Sequence, residues 1–217
     1  MKRSYNFTAI AIIFVFALTF AVPAISSATG DGPMSSLKKP VNELIDILKD
    51  PKYKDKSAKD AQSEKIWPLI KGIFDFTTIS KGTLGKYRKK FDKARLATFT
   101  EEFTTLLGET YLKKIQGGYQ NETVKYLTEK IKETKRGPRA QVKTMLVRGS
   151  IEIPVHYNML KVDGNWRIYD VKVEGVSLVK NYRTQFQKFL MKKNPDQLIE
   201  KVKKKAESLK QSKTEKE

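Results

Sequence analysis

The stretch NWRIYDVKVEGVSLVKNYRTQF, residues 165–186, changes its periodicity halfway along. From Trp166 to Val173 apolar and polar residues alternate, which is typical of a half-buried β-strand. After Gly175 the apolar residues recur three and four positions apart, which is typical of an amphipathic helix, and Ser177 is placed to cap that helix. The stretch therefore predicts a strand that leads directly into a helix with these apolar residues: Leu178, Val179, Tyr182 and Phe186.

Three further strands are predicted immediately before this stretch. Residues 140–146 alternate between apolar and other side chains, and residues 151–159 alternate more strictly. The Gly149 and Asp163-Gly164 positions suit hairpin turns. A weaker strand before Arg136-Gly137-Pro138 completes a predicted meander of four antiparallel strands.

Helical spacing dominates both ends of the chain. Residues 33–48 predict a short amphipathic helix that stops at Asp50-Pro51. The polar residues 52–65 lead into a second predicted helix, which is bent at Pro68. Asp75 is a plausible cap for another helical turn. This N-terminal region is predicted to be helical but interrupted.

The longest predicted helix covers residues 92–115 and ends at Gly117-Gly118. Asn194 and Pro195 have the pattern of a cap followed by a proline in the first turn, and predict a last helix. Helices, then strands, then helices indicate an α+β class, with a curved antiparallel sheet of about four strands covered on one face by helices. The apolar positions of the longest helix are Leu96, Phe99, Phe103, Leu106, Leu107, Tyr111 and Ile115.

The first 28 residues have the pattern of a signal peptide. Lys2 and Arg3 precede an apolar run over residues 7–22, and Ser26 and Ala28 supply small residues for cleavage. A retained membrane anchor is the alternative, but Pro23 interrupts the run. We therefore expect residues 1–28 to be removed on export, residues 29–210 to form a single domain, and residues 211–217 to be a polar, frayed tail.

The chain carries a formal net charge of +19, or +17 once Lys2 and Arg3 are removed (19 − 2). Such a charge often indicates nucleic-acid binding. An exported protein rarely meets nucleic acid, and the basic residues form scattered short runs, so anionic lipid surfaces or acidic protein partners fit better. A merely solvated basic surface is the alternative.

The sequence lacks a recognisable catalytic cluster. It contains no cysteine and a single histidine, His156, which strand alternation places opposite the Ile153, Val155 and Tyr157 face. Ser177 lacks the glycine pattern of a nucleophile elbow, and the acidic residues are scattered among lysines. We therefore predict no enzyme activity, no metal and no cofactor; a hydrolase would need a nucleophile and base that the pattern does not supply.

The segments FDFTTISKGTLGKY and FTEEFTTLLGETYLKKI, together with the stretch at residues 165–186, resemble the MlaC family, also called the toluene-tolerance Ttg2D family. The resemblance extends over residues 41–199. It implies a monomeric periplasmic phospholipid carrier, which contacts membranes transiently and exchanges lipid with an outer-membrane lipoprotein complex and an inner-membrane ABC transporter. Tyr87 stands where the family usually has Trp, and a hopanoid or another hydrophobic small molecule is the alternative ligand.

A carrier of this kind needs an apolar cavity, and a curved sheet of NTF2-like shape facing aromatic-rich helices would provide one. For each apolar residue the alternative is ordinary core packing. Arg183 is expected either to contact phosphate or, preferably, to pair with Asp170 at the strand-to-helix corner. The residues expected to contact lipid are Phe74, Phe76 and Ile79 near the entrance, and Phe99, Phe103, Leu106, Leu107, Val142, Leu146, Ile151, Ile153, Val155, Tyr157, Met159, Tyr182 and Phe186 along the walls.

Overall fold

A computed structural model describes residues 32–214, with side chains through residue 211. The predicted signal peptide, residues 1–28, lies outside the described residues. The described chain is α+β, with helices α1 (Pro33–Lys49), α2 (Lys59–Ile73), α3 (Phe76–Leu84), α4 (Lys93–Gly118), α5 (Leu178–Leu190) and α6 (Pro195–Thr214). Its strands are β1 (Thr123–Lys132), β2 (Arg139–Arg148), β3 (Ile151–Val162), β4 (Asn165–Val173) and β5 (Val176–Ser177).

The five strands form one antiparallel sheet in the order β1-β2-β3-β4-β5. The predicted four-stranded meander is confirmed, and the two-residue β5 adds a short edge that the sequence pattern was too brief to indicate. The register shifts between Tyr126 and Thr128 and between Asn158 and Met159. Such bulges bend the strands that contain them.

The segment between α1 and α2 differs from the prediction. Instead of continuous helix from about residue 52, it contains two 3₁₀ turns, Pro51–Tyr53 and Lys56–Ala58, before α2 begins. The Asp50 carboxylate accepts a hydrogen bond from the Lys52 backbone N–H, which starts the first turn. Pro68 lies inside α2, as predicted.

The N-termini of α3, α5 and α6 have the predicted caps. The side chains of Asp75, Ser177 and Asn194 accept hydrogen bonds from the backbone N–H groups of Thr78, Lys180 and Gln197 respectively. Each bond satisfies a donor that the first helical turn leaves unpaired. Helix α6 continues to Thr214, into the segment predicted as a frayed tail.

Two hydrophobic cores hold the fold together, and Phe74 packs against both of them. The helical core consists of residues from α3, α4, α5 and α6, including Phe99, Phe103 and Phe186. The sheet core joins Leu37 of α1 to the inner face of β2, β3 and β4, where Val142, Met159, Trp166 and Ile168 are buried. The space between the two cores is where the candidate site lies. No helix among residues 32–214 is long and apolar enough to span a bilayer.

Candidate functional site

A cavity of about 640 Å³ lies between one face of the sheet and the helices. Ligand pockets in proteins are typically about 300–1,000 Å³, so the volume suits a sizeable apolar ligand. Its wall is contributed by α1 (Pro40, Val41, Leu44, Ile45, Leu48), α2 and the residue after it (Trp67, Leu69, Ile70, Ile73, Phe74), α3 (Phe76, Ile79), α4 (Leu107, Gly108, Tyr111, Leu112, Lys114, Ile115, Gly118), the link to β1 (Tyr119, Glu122), the strands (Val124, Leu146, Arg148, Tyr157, Ile168, Val171, Val173, Val176, Ser177) and α5 (Leu178, Asn181).

Helices α1 and α2 form the wall that the sequence reasoning did not assign to the site. Leu44, Ile45 and Leu48 recur on one face of α1 and are only half-buried, although they are large and apolar. A helix face of this kind normally packs against another element, whereas here it faces the cavity. The signal was present in the amphipathic spacing of residues 33–48, but spacing identifies an apolar face and not what lies opposite it.

The sheet wall comes from alternate residues on one face of the strands. Leu146, Tyr157 and Val171 lie on adjacent strands, and β2 and β3 pair with Leu146 opposite Ile153 and Val142 opposite Tyr157. Burial raises the pKa of Tyr157 to about 12, so its phenol stays neutral at physiological pH. The central part of the sheet wall, formed by Leu146, Tyr157 and Val171, is therefore uncharged near neutral pH.

The charged members of the wall gather at one end of the cavity. Arg148 donates to the Glu122 carboxylate and, from Nη2, to the Gly118 carbonyl oxygen at 2.9 Å. Burial favours the neutral acid, but hydrogen bonds from the Gln120 backbone and from Arg148 outweigh it and hold the pKa of Glu122 below its usual value. Glu122 is thus an ionised, paired carboxylate. Lys114 at the same end forms no ion pair with any residue that the structure describes.

The same end of the sheet carries the exposed apolar residues of the cavity. Val173 and Val176 line the wall, yet 43% and 65% of their surface is exposed. Val173 pairs with Val155 near the start of β3, and β2 ends at Arg148 beside that start. The cavity therefore opens at this end of the sheet, between Arg148 and the β4–β5 turn.

Buried amides fasten the helical wall. The Gln116 Nε2 group donates to the Lys59 carbonyl oxygen at 2.8 Å and to Gln62 Oε1 at 3.1 Å. Gln62 Nε2 in turn donates to the Ile47 carbonyl oxygen at 2.9 Å. These bonds connect α1, α2 and α4 behind the cavity and fix their separation.

Six of the sixteen residues predicted to contact lipid line the cavity: Phe74, Phe76, Ile79, Leu107, Leu146 and Tyr157. Ile79 is buried, and Phe74 bridges to Ile168 in the middle of β4, so these two residues lie in the interior of the fold. A position of Phe76 near the entrance stays a prediction.

The other ten lie outside the cavity wall. Five belong to the helical core or pack against it, because α4 turns its aromatic face towards α5 and α6 and not towards the sheet: Phe99, Phe103, Leu106, Tyr182 and Phe186. Val142 and Met159 are in the sheet core, Val155 is buried, Ile153 is half-buried, and Ile151 is 56% exposed beside the Gly149 turn. Lipid contact by any of the sixteen stays a prediction.

The expected ion pair between Arg183 and Asp170 is wrong. Arg183 Nε donates to the Gly82 carbonyl oxygen at 2.7 Å and thereby links α5 to α3. Asp170 is buried and accepts from Ser177 Oγ at 2.8 Å and from the Val179 backbone N–H at 3.1 Å. The carboxylate stabilises the strand-to-helix corner through the first turn of α5, and Arg183 braces the neighbouring helix.

Two side chains with catalytic chemistry, His156 and Ser177, lie on β3 and β5. His156 lies on β3 between Lys143 and Lys172, and burial and both lysines lower its pKa. Ser177 Oγ is engaged by Asp170 and by the α5 N-terminus. Within the described residues no group of three His, Cys, Asp or Glu side chains is arranged to hold a metal ion.

Comparison with known proteins places this architecture in a family. The family model described as MlaC protein matches residues 38–204. The toluene tolerance protein ttg2D of Pseudomonas putida is 25% identical over 175 residues, which cover 80% of this chain and 79% of that protein. A phospholipid-binding protein from Ralstonia solanacearum, solved in complex with a phospholipid, shares the fold with a TM-score of 0.69 at 17% identity, covering 82% of this chain and 99% of that one. The matched residues run from within α1 into α6 and include the whole sheet, and the chain belongs to the MlaC family.

Proposed function

We propose that this protein is a periplasmic phospholipid carrier that holds acyl chains in the cavity between the sheet and helices α1, α2 and α4. The observation that carries the proposal is the cavity itself, about 640 Å³ with a wall that is apolar except at its open end. Membership of the MlaC family and the fold shared with a protein solved with bound phospholipid support it.

The arrangement of the wall suits a lipid entering chains first. Apolar side chains of α1, α2 and the sheet surround the interior, whereas Lys114, Glu122 and Arg148 lie at the open end. Burying a phosphate without donors is costly. The headgroup therefore stays at the opening, near the solvent and the charged residues.

Energetics favours a carrier that takes lipid from one apolar environment to another. Transfer of two sixteen-carbon chains from water would involve roughly 25 kcal/mol, at about 0.8 kcal/mol per methylene. That exceeds the practical ceiling of non-covalent affinity, about 18–21 kcal/mol. A bilayer or partner protein shields the same chains, so exchange with it is nearly balanced and the carrier mainly lowers the cost of crossing water.

In this proposal the chain is exported by a cleaved signal peptide, works as a monomeric single domain without enzyme activity, and receives and delivers lipid at two membrane complexes. One is an outer-membrane lipoprotein complex and the other an inner-membrane ABC transporter. Direction is set by these partners, because a passive cavity has no energy source of its own.

Solvent extraction and mass spectrometry of the exported protein, purified without detergent, test the proposal. We expect phospholipid in near-stoichiometric amount. A polycyclic hydrocarbon such as a hopanoid would replace the phospholipid assignment, and folded protein without any lipid or hydrocarbon would contradict the carrier function.

A further inference from the structure

Two segments of the chain are rich in basic residues and contain no acid. Residues 76–91 include Lys81, Lys86, Arg88, Lys89 and Lys90, and residues 177–194 include Lys180, Arg183, Lys188, Lys192 and Lys193. Neither segment contains Asp or Glu. Each segment contributes a formal charge of +5.

The fold places these segments side by side. Helix α3 packs against α5 closely enough that a Cβ built on Gly82 would lie 2.9 Å from Val179 Cγ1. Arg183 donates to the Gly82 carbonyl oxygen, and Gly85, which starts the 3₁₀ helix Gly85–Lys90, lies against Arg183 and Gln187. All the basic side chains except the half-buried Lys81 are exposed. We call the surface formed by these ten side chains the basic face.

The charge of the basic face is not neutralised within the described part of the chain. None of its ten side chains forms an ion pair there. The carboxylates of Asp92 and Asp196 at the edge of α4 and α6 are both engaged by Arg95. Asp170 of β4 is buried, and its carboxylate accepts a hydrogen bond from the Val179 backbone N–H in the first turn of α5. A face of formal charge +10 is therefore available to an anionic partner.

We propose that the basic face docks on the surface of an anionic phospholipid bilayer. Eight of its ten cations are lysines, which act as mobile point charges and suit a diffuse layer of phosphates, whereas pairing with fixed protein carboxylates favours the rigid fork of arginine. One of its two arginines is engaged by Gly82.

Apolar groups among the lysines fit the same partner. Met191 is 72% exposed between α5 and Lys192. The half-buried Tyr87 ring packs against the helical core, and the ammonium groups of Lys86 and Lys90 lie 5.4 and 5.3 Å from its centroid. Aromatic and apolar side chains flanked by lysines are typical of proteins that lie at a bilayer interface.

The basic face belongs to the same helices that line the cavity. Phe76 and Ile79 of α3 and Leu178 and Asn181 of α5 contribute to the cavity wall. Docking through α3 and α5 would hold the cavity next to the bilayer. The inference rests on charge and exposure and does not require that the cavity bind lipid.

Co-sedimentation with vesicles tests the inference, using phosphatidylcholine vesicles with and without phosphatidylglycerol. The test variant replaces Lys89, Lys188 and Lys192 with Gln; the control replaces Lys130, Lys132 and Lys135, which are exposed on β1 and its loop at the opposite edge of the sheet. Both variants lose three charges, so net charge is matched. Each lysine near an anionic surface increases the partition coefficient onto the vesicles about fivefold. The test variant should therefore bind anionic vesicles on the order of 100-fold more weakly than the wild type. The control variant should bind less than about threefold more weakly than the wild type.

Wild-type protein is expected to bind only the anionic vesicles, and less at high salt. Equal weakening by both variants would overturn the basic face as the docking site. Absence of wild-type binding to anionic vesicles would also overturn it, and would assign the face to an acidic protein or to solvent. Lipid content of each variant, measured by mass spectrometry, reports separately on the carrier function.

Discussion

At the residue scale, Asp170 stabilises the corner between strand β4 and helix α5. Its buried carboxylate receives hydrogen bonds from Ser177 Oγ, the Val179 backbone N–H and, at 3.4 Å, Asn158 Nδ2. Hydrogen bonds to a charged group contribute about 1.5–3 kcal/mol each, and a buried donor left unpaired costs about 1–3 kcal/mol. One side chain therefore stabilises both the β4 end and the first turn of α5.

We predict that Asp170→Asn lowers the free energy of unfolding by about 1–3 kcal/mol, because the amide is neutral and can accept through one oxygen only. Urea denaturation measures the change. Asp163→Asn, at the exposed Asp163-Gly164 turn, is the control and should change stability little, since Asn tolerates the positive φ of 48° there. Equal effects of the two substitutions would show that Asp170 has no special part in the corner.

His156 makes stability depend on pH. Burial and the neighbouring Lys143 and Lys172 lower its pKa in the folded state. In the unfolded chain His156 has an ordinary histidine pKa of about 6.5. Below that pH the unfolded chain therefore carries a proton on His156, whereas the folded chain takes up the same proton only at a lower pH. Stability then falls as the pH drops, because the unfolded state binds more protons.

We therefore predict that the wild type loses more stability than His156→Gln when the pH is lowered from about 7.5 to about 5.5. Chemical denaturation at the two pH values gives the comparison. If the free energy of unfolding changed with pH by the same amount in both proteins, protonation of His156 would not destabilise the folded state.

At the element scale, the helical wall depends on the amides between α1, α2 and α4. Gln116→Leu would remove the hydrogen bonds to the Lys59 carbonyl and to Gln62 and Ser63. Buried acceptors left without a donor cost about 1–3 kcal/mol, so we expect a loss of that size in unfolding experiments. Gln120→Leu, two residues beyond the helix and exposed, is the matched control. An unchanged Gln116→Leu variant would mean that packing alone holds α2 against α4.

Most helices and strands could be predicted from the sequence, but the contacts between them could not. The strands and helix caps follow from short-range signals: alternation over residues 151–159, Asp75 before α3 and Ser177 before α5. The partner of each apolar face does not follow from these signals. The face of α4 with Phe99 and Phe103 was expected opposite the sheet, but those rings stack with centroids 5.5 Å apart inside the helical core.

At the scale of the whole molecule, the cavity results from having two cores instead of one. The helical core closes on itself through α3, α4, α5 and α6, and the sheet core closes on α1. The half-buried residues between them, such as Leu44, Ile45 and Tyr157, form the wall. Sequence periodicity predicted an apolar cavity only with the help of the family resemblance, because a core residue and a wall residue have the same spacing and the same chemistry.

The central claim is that lipid occupies the space lined by α1, and a pair of tryptophan substitutions tests it. Leu44→Trp adds volume to a half-buried wall residue, so we predict that it displaces lipid while the melting temperature of the delipidated protein holds or rises. Phe103→Trp adds volume to a residue packed against Tyr182 and Phe186, at centroid distances of 4.9 and 5.3 Å. Overpacking there should cost about 1–3 kcal/mol of stability and leave lipid content unchanged.

The measurement is lipid occupancy by mass spectrometry for the wild type and both variants, purified after export without detergent. The account predicts a severalfold lower occupancy for Leu44→Trp only. Full occupancy in Leu44→Trp, or loss of lipid in Phe103→Trp with Leu44→Trp unaffected, would contradict the assignment of this cavity as the lipid site.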